Sequence, residues 1–190
     1  MSTNRLEAFS DGVLAIIITI MVLELRPPEG AGFDDLRDLL PTFLSYTLSF
    51  VFVGIYWNNH HHLLQAASKV DGRVLWANLH LLFWLSLIPF ATAWMGETGF
   101  ASGPVALYGL VLLLAGFAYY LLVRALVARH GRESVLARAI GSDRKGLLSL
   151  VLYASAIVAA PRRPLWACAI YVLVAVIWLI PDRRIERHLG

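Results

Sequence analysis

Apolar positions dominate this chain in long blocks, and polar positions gather in the short stretches between them. Six apolar blocks, at roughly 5–25, 39–61, 74–96, 104–128, 145–160 and 164–181, approach or exceed the roughly 20 helical residues that cross a hydrocarbon core of about 30 Å. The separators carry turn and breaker residues: "RPPEGAGFDDLRD", "KVDGR", "GETGFASGP" and the very short "PRRP". Proline and glycine end helices and begin turns, and four residues suffice only for a tight helical hairpin. The pattern predicts an all-α polytopic membrane protein of six transmembrane helices, with residues 1–190 forming one membrane domain.

The first block departs from a uniform span. Within "NRLEAFSDGVLAIIITIMVLELR", Arg5, Glu7 and Asp11 precede three consecutive isoleucines, and charge inside a span is costly enough to imply a partner or a pathway. At about 100° per residue, with Asp11 set at zero, Ile16 falls near 140°, Ile20 near 180° and Leu23 near 120°, almost opposite the carboxylate. Arg5 and Phe9 fall near 120° and 160° on the same wheel. The polar side is expected against the subunit's own helices, leaving the aliphatic stripe for a partner or a cavity.

Composition confirms the class. Hydrophobic residues make up 58% of the 190 and charged residues only 15%, far from the balance of a soluble domain. A net charge of +3 raises nucleic acid as a partner, but the basic residues sit between the spans, where topology accounts for them. With both termini cytoplasmic, the inner side holds twelve of the sixteen Lys and Arg residues, the expected positive-inside bias. The basic loop around "RALVARHGRESVLARAIGSDRK" reads as such an inner loop. No cleavable leader is expected, because Glu7 and Asp11 interrupt the region where a basic start and an apolar core belong. Cys168 stands alone in an apolar run and reads as a small buried side chain.

Polar groups within the spans are the remaining candidates. Asp11 and His80 each lie about six residues from the inner end of their helices, or roughly 9 Å deep at the helical rise, and are expected to pair, with Asn58, Asn59 and His60 as competitors. Glu24 at the outer end of the first span is a candidate carboxylate at a pore mouth, or a partner for Arg26. Thr19 is placed to touch an ion or to bond its own backbone. The histidines at 60–62 point about 100° apart and lack the i, i+4 spacing of a helical metal pair; no metal site is expected. Trp57, Trp94 and Trp178 read as anchors at the membrane interface. No nucleophile with a base and no phosphate loop is present, so no enzymatic activity is expected.

Arg5, three intervening residues, then Phe9, Ser10 and Asp11 ahead of an isoleucine-rich helix with Thr19 resembles the RxxxFSD signature that opens the pore helix of the transmembrane protein 175 family of endosomal and lysosomal potassium channels. The resemblance covers residues 5–25 and, beyond them, chain length and span number. It implies a one-repeat, bacterial-type member that assembles as a homotetramer in the cell membrane, with the first helix lining a central pore. It further implies a hydrophobic constriction at Ile16, with Ile20 and Leu23 as further layers, in place of a carbonyl filter. Phe9, Ser10, Asp11 and Arg5 would fix the pore helix. Potassium would be the permeant ion, with sodium and other monovalent cations possible, and no cofactor is implied. The residues alone leave a second reading, an intramembrane haem or metal redox protein using His80 with His60, His61 or His62.

Overall fold

The structure is a computed structural model describing residues 3–67, 69–131, 134, 137 and 144–179. All regular elements among them are helical: α1 Thr3–Leu23, a 3-10 turn Phe33–Leu36, α2 Leu40–Gln65, α3 Gly72–Ser86, α4 Ile88–Glu97, α5 Ser102–His130, α6 Arg144–Ala159 and α7 Pro164–Leu179. Arg132, Arg138, Arg183, Arg184 and Arg187, which enter the charge count above, lie outside the described residues.

Helix ends follow local chemistry. Asp71 starts α3 by accepting from the Val74 amide at 3.1 Å, satisfying one of the amides that every helix N-terminus leaves free. Pro41 sits in the first turn of α2, where a missing amide is harmless. Between α4 and α5, Gly99 and Phe100 both take positive φ, which reverses the chain within a few residues. The third predicted span is one apolar segment, Gly72–Glu97, but its helix breaks at Leu87. Pro89 is responsible, since it lacks the amide that would bond back to Leu85.

Among the described residues, four segments are long and apolar enough to cross a bilayer: Thr3–Leu23, Leu40–Gln65, Gly72–Glu97 and Ser102–His130. α6 and α7 have 16 residues each, about 24 Å at the helical rise. They are shorter than the full spans and pack together as the hairpin that the four-residue separator requires.

α5 is the hub. It packs on α3, α4, α6 and α7, and its Leu112, Ala115, Ala118, Leu122 and Leu126 are fully buried. Small residues let the backbones approach, as membrane helices need in the absence of a hydrophobic drive between them. Several polar groups on the buried faces are paired: Ser49 Oγ lies 2.6 Å from Thr92 Oγ1 and 2.9 Å from Tyr108 Oη, and Tyr171 donates to the Val105 carbonyl at 3.0 Å.

One close approach can be tested directly. A Cβ on Gly96 would lie 2.5 Å from Ser45 Oγ and 2.7 Å from the Thr42 Cα, and backbone cannot yield as a flexible side chain can. Gly96→Ala is expected to lower stability by about 2 kcal/mol, in the range of overpacked cores. Thermal melting of the purified variant checks this; an unchanged midpoint would show that α2 and α4 sit further apart.

α1 is peripheral. It packs on α2, α3 and α4, using Leu6, Ser10, Leu14, Ile17 and Met21, and the rest of its surface is open.

Candidate pore helix and the polar cluster at its start

On the wheel of α1, its buried residues centre near Ser10, about 110° from the stripe of Ile16, Ile20 and Leu23. The helix is therefore seated on Ser10 rather than on Asp11, which corrects the expected orientation. The reason is size and bonding: Ser10 can bury its hydroxyl by donating to the Leu6 carbonyl at 2.9 Å, whereas a carboxylate brings two acceptors and no proton. Asp11 stands at the edge of this face, half-buried, and its Oδ1 is buried with no hydrogen-bond partner.

A chain of hydrogen bonds joins three helices at this level. Asn78 of α3 donates from Nδ2 to Ser10 Oγ at 3.0 Å, and its Oδ1 lies 2.7 Å from His60 Nε2 of α2. The direction of each bond follows. The single Ser10 proton is committed to Leu6, so Ser10 accepts from Asn78; Asn78 Oδ1 must then accept from a protonated His60 Nε2. All three side chains are fully buried or nearly so.

The expected pairing of Asp11 with His80 is not what joins α1 to α3. His80 Nε2 accepts from the Trp84 indole at 2.9 Å, one turn along its own helix, and no hydrogen bond or ion pair connects it to Asp11. Asn78 takes that place because it offers a donor and an acceptor together. Among the competitors, His60 acts through Asn78, while Asn59 bonds back to the Ile55 carbonyl at 2.8 Å.

One turn nearer the helix start, Glu7 Oε1 meets His61 Nδ1 at 2.6 Å. The adjacent histidines thus have separate environments, as their 100° spacing requires: His60 on Asn78, His61 on Glu7, and His62 edge-on to the His61 ring. No three His, Cys, Asp or Glu side chains come together as a metal-binding set among the described residues.

The outward-facing candidates are equally specific in position. Ile16 is 58% exposed, Ile20 42% and Leu23 78%. Phe9 and Arg5 are exposed on this open side of the chain. Thr19 donates to the Ile16 carbonyl at 2.8 Å, and Glu24 is exposed with no ion pair to Arg26. Trp94 is exposed in the last turn of α4, and Trp57 is exposed more than two turns before the end of α2. Trp178 is half-buried and donates to Ser149 at 2.8 Å.

Comparison with known proteins decides the family. A sequence profile described as endosomal/lysosomal potassium channel TMEM175 matches residues 5–89. A potassium channel of Chryseobacterium sp. (strain P1-3) is 54% identical over 189 residues, spanning 100% of this chain and 98% of that protein. The chain belongs to the TMEM175 family. The crystal structure of a lysosomal potassium-selective channel TMEM175 homolog from Chamaesiphon minutus superposes with a TM-score of 0.81 at 25% identity, covering 94% of this chain and 96% of that one. A TMEM175 protein of zebrafish, named an endosomal/lysosomal proton channel, is 25% identical over 135 residues, only 25% of its own length. The TMEM175 profile runs past the FSD triplet to residue 89 and so takes in His60, His61 and Asn78. Reading the sequence alone missed Asn78 because an asparagine on an apolar helix carries no signature of its own; the available signal was its place two residues before His80, on the face that meets α1.

Proposed function

We propose that this protein is a potassium-permeable cation channel of the cell membrane, assembled as a homotetramer with α1 lining the pore and both termini cytoplasmic. The observation that carries the reading is the exposed stripe of Ile16, Ile20 and Leu23 on a peripheral helix seated by another face. Four such stripes about an axis would stack apolar rings, the arrangement that gates by dewetting. The buried, unpartnered Oδ1 of Asp11 on the same helix is a second group that a neighbouring copy or water would satisfy, since a buried lone acceptor is unfavourable. Relatives named as potassium channels support the ion. Exposed Glu24 would stand at the outer mouth and raise the local cation concentration, and Phe9, Ser10, Asp11 and Arg5 would fix the pore helix.

The haem or metal alternative, with His80 and one of His60, His61 or His62 as ligands, is the less favoured reading, because no three His, Cys, Asp or Glu side chains gather as a metal-binding set among the described residues. Reconstitution in liposomes with an outward potassium gradient tests the channel: valinomycin-independent potassium efflux is expected from vesicles holding the protein and not from empty ones. Protein that is folded and oligomeric yet passes no cation would overturn the reading.

A further inference from the structure

Glu7 and His61 form a contact for which the RxxxFSD signature has no role. They join the first turns of α1 to the last turns of α2 at 2.6 Å, with side-chain exposures of 18% for Glu7 and 34% for His61. A carboxylate only accepts, so His61 Nδ1 carries the proton in this bond. When the second ring nitrogen is also protonated the contact becomes an ion pair, and charge-assisted hydrogen bonds are roughly twice as strong as neutral ones. Partial burial shields the pair from the screening that makes exposed ion pairs weak.

The position of this contact gives it leverage. Ser10 holds α1 one turn further along, and the aliphatic stripe begins about two turns beyond that. A bond at Glu7 therefore acts on the inner end of the helix, beside the Thr3 hydroxyl that donates to the Ala67 carbonyl at 3.3 Å. We infer that Glu7 and His61 are positioning residues forming a proton-dependent latch, which holds the inner end of α1 on α2 tightly when His61 is charged and more weakly when His61 is neutral. The inference rests on the channel reading above. Histidine is the side chain that changes charge between about pH 5 and 8, so the latch is strong at the acid end of that range and weakens as pH rises. A weaker hold on the inner end of α1 loosens the constriction, and cation flux rises.

Neighbouring groups define what else could titrate. On α1 these are Arg5 and Asp11; on α2 itself, His60 and His62; on α3, Arg73 and His80. α4 offers only Glu97 and α7 only Cys168 and Tyr171, all nearer the opposite end of the bundle. Glu7, Asp11 and His61 are all close enough to His60 to act on it electrostatically. His61 differs from the others in binding α1 directly through a carboxylate.

The test compares the natural chain with Glu7→Gln and His61→Gln in liposomes at symmetrical pH from 5.5 to 8. Both variants keep a hydrogen bond between the helices while removing its charge, and elution as the natural oligomer confirms that they fold. Natural flux is expected to rise about fivefold with pH, the difference between a charge-assisted and a neutral hydrogen bond, and both variants are expected to be flat. A second readout is independent of flux. The Trp57 ring stacks on His61 with centroids 6.2 Å apart and planes at 22°, and a protonated imidazole quenches indole emission. The pH dependence of the part of the emission that Trp57→Phe removes should therefore differ between Glu7→Gln and the natural chain. Natural flux that is independent of pH, or variants that keep the natural profile, would overturn the latch. No flux at any pH with a Glu7-dependent Trp57 titration would overturn the channel reading alone; no flux and a titration indifferent to Glu7 would overturn both.

Discussion

Ile16→Asn is expected to raise cation flux through reconstituted vesicles roughly tenfold and to reduce discrimination between potassium and sodium. The argument runs from the wheel of α1 to the barrier. Ile16 is the deepest residue of a stripe that the chain leaves uncovered, and an apolar ring holds its pore closed by making water, and hence a hydrated ion, unfavourable within it. An amide in each ring position offers hydrogen bonds to that water. A single net hydrogen bond is about 1 kcal/mol and tenfold in rate is about 1.4 kcal/mol, so even partial wetting produces a change of this size. Discrimination falls with it because a wet ring no longer strips ions of their hydration. Val151→Asn is the control, since Val151 is as exposed as Ile16 but lies on α6. Equal leak from both variants would locate the effect in general disruption, and no leak from Ile16→Asn would remove Ile16 from the permeation path.

The all-helical membrane architecture was legible because hydrophobic blocks of span length have few other uses, and the stripe on α1 was legible because periodicity alone sets which residues share a face. Two features were not. The break at Leu87 is local backbone chemistry inside a run that hydropathy reads as continuous, and only Pro89 marks it. The face on which α1 is seated depends on which polar residue finds a bonding partner in three dimensions. Charge drew attention to Asp11, but a carboxylate is hard to bury without donors, whereas Ser10 brings a proton of its own and a bond to Leu6. The same logic separates His80, satisfied within its helix by Trp84, from His60, satisfied across helices by Asn78. Sequence spacing placed both at a plausible depth and could not tell them apart.

Asn78→Ala is expected to destabilise the protein by about 3 kcal/mol, because it leaves two buried groups without partners, the His60 Nε2 proton and the Ser10 acceptor, at roughly 1–3 kcal/mol each. Ser10→Ala alone orphans only the Asn78 amide and is expected to have the smaller effect. In the double variant Ser10 is no longer there to be orphaned, so the two changes should sum to less than their parts by about 1 kcal/mol, as contacting residues in one network do. Thermal midpoints of the four proteins in the same detergent give the cycle. If Ser10, Asn78 and His60 seat the pore helix, Asn78→Ala should also raise basal cation flux while His80→Ala does not, since His80 makes no cross-helix hydrogen bond. Strict additivity between Ser10 and Asn78, or a larger effect from His80→Ala than from Asn78→Ala, would return the seat of α1 to the Asp11–His80 pairing that charge and depth first favoured.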